Sequence, residues 1–244
     1  CIRDSPYLRR FKGALFVIKF GGEAMRTRDQ LDLLAEDISF LHNVGINVVL
    51  VHGGGAQVTE IEQKLGVQPR KIAGRRVTDA ESLEVAKMVL GGTLNLNIVA
   101  SLRAHGVKAV GISAASAGIL KVTKRPPTTV TGSTEVVDFG HVGDVVGSDP
   151  SILKAILRDG GLPVISPISA DDEGNLLNVN ADSAAARIAT GLKAEKLLLL
   201  SDVPGVMTNL KDPTTLISTL DAKQAREAIS RGIINGGMIP KVED

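Results

Sequence analysis

The sequence LFVIKFGG at residues 15–22 decides the fold, and VVLVHGGG at residues 48–55 repeats its arrangement. Each is an apolar, partly β-branched run that carries one polar residue at its end, Lys19 or His52, and then continues into glycines. Such runs predict strands that are buried on both faces of a sheet. Glycines directly after buried strands let backbone N–H groups approach an anion closely, and a helix that begins there adds the positive end of its dipole. The two segments therefore indicate a phosphate site at the strand ends.

Strand and helix patterns alternate outward from these segments, which predicts parallel crossovers with helices on both faces of the sheet. Residues 118–147 are rich in Thr, Val and Gly and contain Pro126-Pro127, which predicts antiparallel hairpins inserted in the main sheet. We expect one domain over residues 1–244, with a substrate lobe at about 13–168 and a nucleotide lobe at about 169–244. The other predicted strands are 107–112, 162–165 and 197–200, and the helices are 28–43, 58–65, 80–105 with an interruption at Gly91-Gly92, 151–158, 181–192 and 222–231.

Composition limits the classes of partner. The formal net charge of +1 argues against nucleic acid or an anionic membrane as the main partner. There is no run of about 18 apolar residues, so we expect no membrane span. Cys1 is the only cysteine, which rules out an internal disulfide within the chain and fits a reducing compartment, so we predict a cytoplasmic protein. The four histidines lack metal-ligand spacing, so we predict no metal held by protein ligands, and we expect His52 to be structural.

GGMIPK at 236–241 combines glycines with a second lysine, Lys241, and indicates a third part of the phosphate site. Three further segments each allow a structural and a functional interpretation. Arg75-Arg76 is an exposed pair, or one guanidinium binds a substrate carboxylate. NVNAD at 178–182 caps a helix, or it places Asp182 between two lysines. SDVPGV at 201–206 is a turn or a loop beside a nucleotide.

Seven segments occur in one order along the chain: KFGG at 19–22, HGGG at 52–55, RVT at 76–78, VGDV at 142–145, NVNAD at 178–182, SDVPGV at 201–206 and GGMIPK at 236–241. Together they resemble the amino-acid kinase superfamily and, within it, the N-acetylglutamate kinase family. The resemblance implies a three-layer αβα sandwich around a mainly parallel sheet. It also implies that ATP phosphorylates the γ-carboxylate of N-acetyl-L-glutamate, a step of arginine biosynthesis.

The same resemblance assigns roles to residues of these segments. Lys19 and Lys241 would contact the transferring phosphoryl group, and Asp182 would orient both lysines. The backbone N–H groups of the phosphate site would belong to Gly21, Gly22, Gly53 and Gly54. The substrate would be held by Gly53, Gly54, Arg76 and Asn178. ATP with Mg²⁺ would lie against Ser201, Asp202, Val203, Gly205, Val206, Met207 and Gly237.

The two chain ends carry further expectations. SPYLRRF at 5–11 resembles the extension of arginine-inhibited family members, which assemble as hexamers through an N-terminal helix. It implies L-arginine as an inhibitor and a homo-oligomer, either a dimer or a hexamer. Family members continue for several elements beyond the position of Lys241, so the chain is either a fragment or lacks those elements. It begins with Cys1 rather than Met, so we expect the true start to lie upstream. Two alternatives stay open: a kinase for N-acetylaminoadipate-type substrates, and a catalytically silent amino-acid-sensing module of the same fold.

Overall fold

The computed structural model describes residues 6–72, 75–129, 136–201, 203–209, 212–234, 238 and 241–242. Its strands, in chain order, are β1 (Leu15–Phe20), β2 (Asn47–His52), β3 (Arg70–Ile72), β4 (Arg75–Val77), β5 (Ala109–Ser113), β6 (Leu120–Lys124), β7 (Thr128–Thr129), β8 (Val136–Val137), β9 (Val142–Ser148), β10 (Leu162–Ser166), β11 (Ile168–Ala170), β12 (Leu176–Val179) and β13 (Lys196–Leu200). The α-helices are α1 (Pro6–Phe11), α2 (Arg28–Asn43), α3 (Gly55–Lys64), α4 (Ala80–Ala86), α5 (Asn95–Ala104), α6 (Ser151–Arg158), α7 (Ala181–Leu192) and α8 (Ala222–Ser230).

The main sheet is parallel, in the strand order β13-β1-β2-β10-β5. This confirms the predicted α/β fold with a mainly parallel sheet. The carboxyl ends of β1, β2 and β13 lie side by side, with Phe20 opposite both His52 and Leu200. The glycine segments that follow β1 and β2 are therefore neighbours at the carboxyl end of the sheet. Open parallel sheets bind their ligands at this end.

Side chains on β1 alternate between two hydrophobic clusters, as the period of a strand requires. Phe16, Ile18 and Phe20 belong to the cluster that α2 and α5 cover. Val17 points to the opposite face and packs in the cluster that includes residues of α6 and α7. Because Lys19 lies two residues after Val17, its side chain also projects towards the face that α7 covers.

The described strands of the segment 118–147 do not join the main sheet. Of these, β6 and β9 pair antiparallel with each other, as expected for a hairpin. They belong to a separate four-stranded sheet in the order β11-β12-β9-β6, in which β9 also pairs in parallel with β12. The prediction of an insertion in the main sheet is therefore wrong about its location, because the partners of this hairpin come from residues 168–179, where no strand was predicted.

The predicted interruption of the long helix at Gly91-Gly92 is also wrong. The chain stays helical from α4 through a π-helical segment, Lys87–Leu94, into α5. Val89, Leu90 and Leu94 of that segment are buried, and their packing outweighs the poor helix propensity of glycine. The π turn changes the phase of the helix, so residues on both sides of the glycines can face the same core.

Among the described residues, one helical stretch, Ala80–Ala104, is long and apolar enough to cross a membrane by length and composition alone, with a mean hydropathy of 1.4. Polar residues such as Lys87 and Asn95 interrupt this stretch, so it is not an unbroken apolar run. The core helix of a globular protein can have the same length and hydropathy. Ile98 and Leu102 lie in the cluster with β1 and β2, so this stretch packs against the main sheet.

Candidate active site

Lys19 and Asp182 meet where β1 ends and α7 begins. Lys19 Nζ lies 2.7 Å from Asp182 Oδ1, and both side chains are about 90% buried, with 9% and 10% exposed. The Asn180 side chain caps α7 by accepting hydrogen bonds from the N–H groups of Asp182 (2.7 Å) and Ser183 (3.1 Å). The cap fixes the first turn of α7, so the Asp182 carboxylate is held over the end of β1.

Lys241 completes a row of cation, anion and cation. Its Nζ donates a hydrogen bond of 3.0 Å to Asp182 Oδ2, and its side chain is 19% exposed. Asp182 Oδ1, although close to Lys19, makes no well-aligned hydrogen bond with any described residue. The three side chains together carry one net positive charge in a largely buried place, which favours an anion beside them.

The two glycine turns lie beside this row. An added Cβ on Gly53 would lie 3.6 Å from Gly21 Cα and 3.9 Å from Ala181 Cβ, so both turns and the start of α7 converge. Gly53 N–H donates to Phe20 O at 2.8 Å. Of the predicted backbone donors, Gly53 is therefore already engaged within the fold. The N–H groups of Gly21, Gly22 and Gly54 make no hydrogen bond to another described residue, so they suit an anion.

Gln57 connects the two glycine turns and was not among the predicted site residues. It lies on α3, and its Nε2 donates to Gly22 O at 2.8 Å. An added Cβ on Gly22 would lie 2.2 Å from Gln57 Oε1, so only glycine fits there without moving this side chain. A polar residue on an amphipathic helix looks solvent-exposed in sequence, and only the approach of the Gly22 turn shows its contact.

Gly54 and Gly55 offer a matched test of close packing at the second turn. An added Cβ on Gly54 would lie 2.4 Å from Leu94 Cδ1 and 2.6 Å from Leu90 Cδ2, whereas one on Gly55 would meet nothing within 4 Å. We expect Gly54→Ala to lower the free energy of unfolding by about 1–3 kcal/mol through overpacking. Gly55→Ala, in the first turn of α3, should leave stability unchanged or slightly higher. Urea unfolding of both variants checks this, and equal midpoints would contradict it.

His52 is fully buried at the end of β2, as expected for a structural histidine. Its Nδ1 lies 2.9 Å from Gly53 O, and its Nε2 lies 3.2 Å from Asn95 Nδ2. Burial away from water lowers the pKa of His52 to about 4, against a small upward effect of the hydrogen bond to Gly53. The imidazole is therefore neutral in the folded protein at neutral pH.

The lowered pKa of His52 predicts acid sensitivity. Below its ordinary value of 6.5, the unfolded chain takes up a proton at His52 that the folded chain refuses until the pH approaches 4. Stability therefore falls over this window as the pH falls, by roughly 2–3 kcal/mol between pH 7 and pH 4.5 from this residue. Urea unfolding at both pH values should show this loss in wild type and a smaller loss in His52→Asn. Identical losses would contradict the prediction.

Arg76 lies on β4 and reaches the first turns of α3. Its guanidinium donates to Glu62, to Thr59 and, at 2.9 Å, to Gly55 O. Glu62 is fully buried, and its second carboxylate oxygen, Oε1, has no hydrogen-bond partner among the described residues. The structure thus places Arg76 beside the Gly54 turn, where part of its guanidinium is already engaged with protein acceptors. No role was predicted for Glu62. Its position in the helical pattern of residues 58–65 is indistinguishable from that of an exposed residue.

Asn178 lies on β12, four residues before Asp182. Its Nδ2 donates to Thr78 Oγ1 at 3.3 Å, which joins the second sheet to the segment that follows Arg76. The turn of residues 178–182 thus connects the predicted substrate side of the site with the start of α7.

The predicted nucleotide loop follows β13, which is the neighbour of β1. Met207 is buried and bridges to Leu216, and Ile217 N–H donates to Val206 O at 2.8 Å. Ser201, Val203 and Gly205 precede them in this loop, whereas Asp202 and Gly237 lie outside the described residues. The loop therefore starts at the sheet edge that carries Lys19.

The chain is similar to known proteins over nearly its whole length. The profile of the amino acid kinase family matches residues 14–244. An acetylglutamate kinase from Methanothrix thermoacetophila is 43% identical over 242 residues, which cover 99% of this chain and 83% of the relative.

Solved structures are similar in fold. An N-acetylglutamate synthase from Neisseria gonorrhoeae, complexed with coenzyme A and N-acetyl-glutamate, superposes with a TM-score of 0.79 at 27% identity, over 98% of this chain and 52% of that one. An N-acetylglutamate synthase from the same organism, complexed with coenzyme A and L-arginine, gives a TM-score of 0.72 at 26% identity, over 96% of this chain and 55% of that one.

Proposed function

Since the chain belongs to the amino acid kinase family, we propose that its site transfers the γ-phosphoryl group of ATP to the side-chain carboxylate of N-acetyl-L-glutamate. The products are an acyl phosphate and ADP, which makes the protein an acetylglutamate kinase of arginine biosynthesis. Relatives that are about 43% identical carry that name. The observation that carries the proposal is the row of Lys19, Asp182 and Lys241 beside the glycine turns.

The site has the parts that this reaction needs. The nucleophile is a carboxylate with an ordinary pKa of about 4.3, so it is ionised at neutral pH and no general base is required. A carboxylate oxygen attacks the γ-phosphorus, the bond to the β–γ bridging oxygen breaks, and that oxygen leaves with ADP. The difficulty is to bring an anion to a polyanion. Lys19, Lys241 and the N–H groups of the glycine turns address it by electrostatic stabilisation and positioning.

Asp182 has a positioning role in this proposal. It touches both lysines, at 2.7 Å and 3.0 Å, and its negative charge offsets the repulsion between the two ammonium groups. Each ammonium group keeps further N–H donors for phosphate oxygens. The two cations are thus arranged before the substrates bind. The entropic cost of fixing their side chains therefore arises during folding and not during the reaction.

We propose that ATP enters as its Mg²⁺ complex. Among the described residues there is no group of three or more His, Cys, Asp or Glu side chains that could hold a metal ion. The phosphates and water would therefore supply the ligands, as Mg²⁺ in kinase sites commonly requires. Val203, Gly205, Val206 and Met207 would line the nucleotide beside the end of β1, together with Ser201, Asp202 and Gly237.

On the opposite side of the row, we propose that Arg76, Asn178 and the Gly54 turn hold N-acetyl-L-glutamate. The contact between Arg76 and Gly55 O supports this, because it places the guanidinium at the start of α3. A carboxylate bound there would gain from the cation and from the positive end of the helix dipole.

Coupled ATP turnover tests the proposed function. The full-length enzyme should give the highest kcat/KM with N-acetylglutamate among N-acetylglutamate, N-acetylaspartate, aspartate and N-acetylaminoadipate. A preference for N-acetylaminoadipate would establish the alternative kinase, which differs in the length of its substrate. Absence of ADP formation with all four substrates would favour the silent sensing module and would overturn the proposal.

We also propose that the enzyme is a homo-oligomer that L-arginine inhibits. α1 is attached to the sheet, because Phe11 is buried and its ring packs edge-on against Phe16 with 5.3 Å between centroids. A related synthase was solved with L-arginine, which supports an arginine site in this group of proteins. Titration of the full-length enzyme should show falling activity up to millimolar arginine, and light scattering should give a dimer or a hexamer. A flat curve would exclude the inhibition.

Finally, we propose a cytoplasmic location. The single cysteine, Cys1, fits a reducing compartment. The substrates, ATP and an acylated amino acid, are small soluble metabolites. Fractionation of cells that carry the tagged full-length protein would test this, and recovery in the membrane fraction would contradict it.

A further inference from the structure

Asn95 and His52 form a buried hydrogen-bonded chain that ends at the Gly53 carbonyl. Asn95 lies at the start of α5, is 4% exposed, and donates from Nδ2 to Val164 O at 3.0 Å. The same Nδ2 lies 3.2 Å from His52 Nε2. On its other side, His52 Nδ1 lies 2.9 Å from Gly53 O. Three elements, β10, α5 and β2, therefore contribute to one polar chain within an apolar core.

The partners fix which atoms donate. Val164 O can only accept, so the Asn95 atom that faces it is the amide nitrogen. The second hydrogen of that nitrogen is available for His52 Nε2, which must then be an unprotonated acceptor. Gly53 O can also only accept, so the hydrogen of the neutral ring lies on Nδ1 and is donated to Gly53 O. The lowered pKa of His52 agrees with this neutral ring.

The Gly53 carbonyl and the Gly54 N–H belong to the same peptide group. In a planar trans peptide these two groups point in opposite directions. The hydrogen bond from His52 to Gly53 O therefore sets the direction of the Gly54 N–H. It also polarises the peptide, which makes that N–H a better donor. Gly54 N–H makes no hydrogen bond to another described residue, so its direction is not set by an acceptor of its own.

We infer that His52 and Asn95 are positioning residues that aim the Gly54 N–H at the anion in the site. Asn95 donates to Nε2 and so supports the tautomer that Gly53 O requires, and the histidine holds the peptide between Gly53 and Gly54. The inference deepens the proposed function and rests on it, since the anion is the phosphoryl group or the attacking carboxylate of that reaction. Neither side chain touches the reacting atoms.

Gly111 on β5 leaves room for this arrangement. It lies opposite Val164 in the sheet, and an added Cβ would lie only 2.1 Å from Asn95 Oδ1. A side chain there would push the Asn95 amide away from His52. Gly111 is two strands away from β2, and an added Cβ would also lie 3.0 Å from Val99 Cγ2, so a side chain there would reach the site through α5 and its Asn95.

Two substitutions at His52 test the positioning role. In His52→Asn the amide nitrogen takes the place of Nδ1 and can donate to Gly53 O, whereas His52→Leu cannot donate. We expect His52→Leu to lower kcat roughly tenfold or more with KM for N-acetylglutamate changed less than twofold, because the donor acts on the reacting anion. His52→Asn should recover most of the lost kcat. Equal kcat values for the two variants, once the folded fraction is matched, would overturn the inference. A wild-type enzyme without kinase activity would instead overturn the proposed function.

Two glycine variants outside the site test the role of Asn95. Gly111→Ala should lower kcat in the same way as His52→Leu, though by less. Gly147→Ala is the matched control, because Gly147 is also a strand glycine and an added Cβ would lie no closer than 3.6 Å to Lys121. The control should keep wild-type kcat. Equal kcat in both glycine variants would contradict the role of Asn95.

The histidine tautomer gives a readout that does not depend on activity. In ¹⁵N NMR of the full-length protein with labelled histidine, His52 should carry its hydrogen on Nδ1 across the neutral range. In Asn95→Leu the hydrogen should stay on Nδ1, because Gly53 O still accepts it, and the ¹⁵N resonance of Nε2 should shift because that atom loses its hydrogen-bond donor. A wild-type His52 that is protonated on Nε2 would overturn the inference whatever the kinetics show.

Discussion

Replacing Lys19 by alanine is expected to lower kcat about a hundredfold or more. Lys19 is buried at the end of β1 and lies 2.7 Å from Asp182, so its charge is held in place and poorly screened by solvent. Loss of one donor aimed at developing negative charge typically has an effect of this size. Lys241→Ala should act in the same direction, because its ammonium lies on the other oxygen of the same carboxylate. Steady-state kinetics with ATP and N-acetylglutamate measure both.

Lys108→Ala is the matched control for these lysine variants. Lys108 precedes β5 at the opposite edge of the parallel sheet, is 61% exposed and pairs with Asp159. Its exposed ion pair should contribute less than about 1 kcal/mol to stability. We expect wild-type kcat for this variant. Turnover within about threefold of wild type in both Lys19→Ala and Lys241→Ala would refute their roles in phosphoryl transfer.

Local patterns predicted the main elements well, and the reasons are visible. α2, α6 and α7 begin and end where the sequence placed them. α2 has a reciprocal N-terminal cap between Thr27 and Gln30, and α7 has the Asn180 cap. The first residue of each helix is therefore set by its sequence neighbours. The meeting of Lys19 and Asp182 was predicted through the resemblance to the amino-acid kinase superfamily, because the segment 178–182 taken alone also allowed a plain helix cap.

Features that depend on tertiary packing could not be predicted. The short strands β11 and β12 exist because β12 pairs with β9, and a local pattern of three or four residues does not reveal such a partner. Gln57, Glu62 and Asn95 lie within amphipathic helices, where polar residues usually face water. Each becomes part of the site only because a glycine turn, Arg76 or His52 approaches it. The residues that support the reacting groups were therefore harder to predict than the reacting groups themselves.

Replacing Asp182 by asparagine should separate binding of ATP from catalysis. The variant keeps the shape of the side chain but leaves Lys19 and Lys241 without the carboxylate that lies 2.7 Å and 3.0 Å from them. We expect kcat to fall about a hundredfold, since the two ammonium groups lose their arrangement. Breaking a buried ion pair on one side should also lower the free energy of unfolding by about 3 kcal/mol at low salt.

The change in net charge at the site predicts how the Asp182→Asn variant binds ATP. Wild type offers one net positive charge from the three side chains, and Asp182→Asn offers two, so a polyanion gains more from binding to the variant. KM for MgATP should therefore stay level or fall while kcat collapses, and MgATP should raise the melting temperature of the variant more than that of wild type. Asp159→Ala, which removes an exposed carboxylate paired with Lys108, should change none of these quantities. If KM for MgATP instead rose in step with the loss of kcat, Asp182 would serve to bind the nucleotide, and its role in orienting the two lysines would be lost.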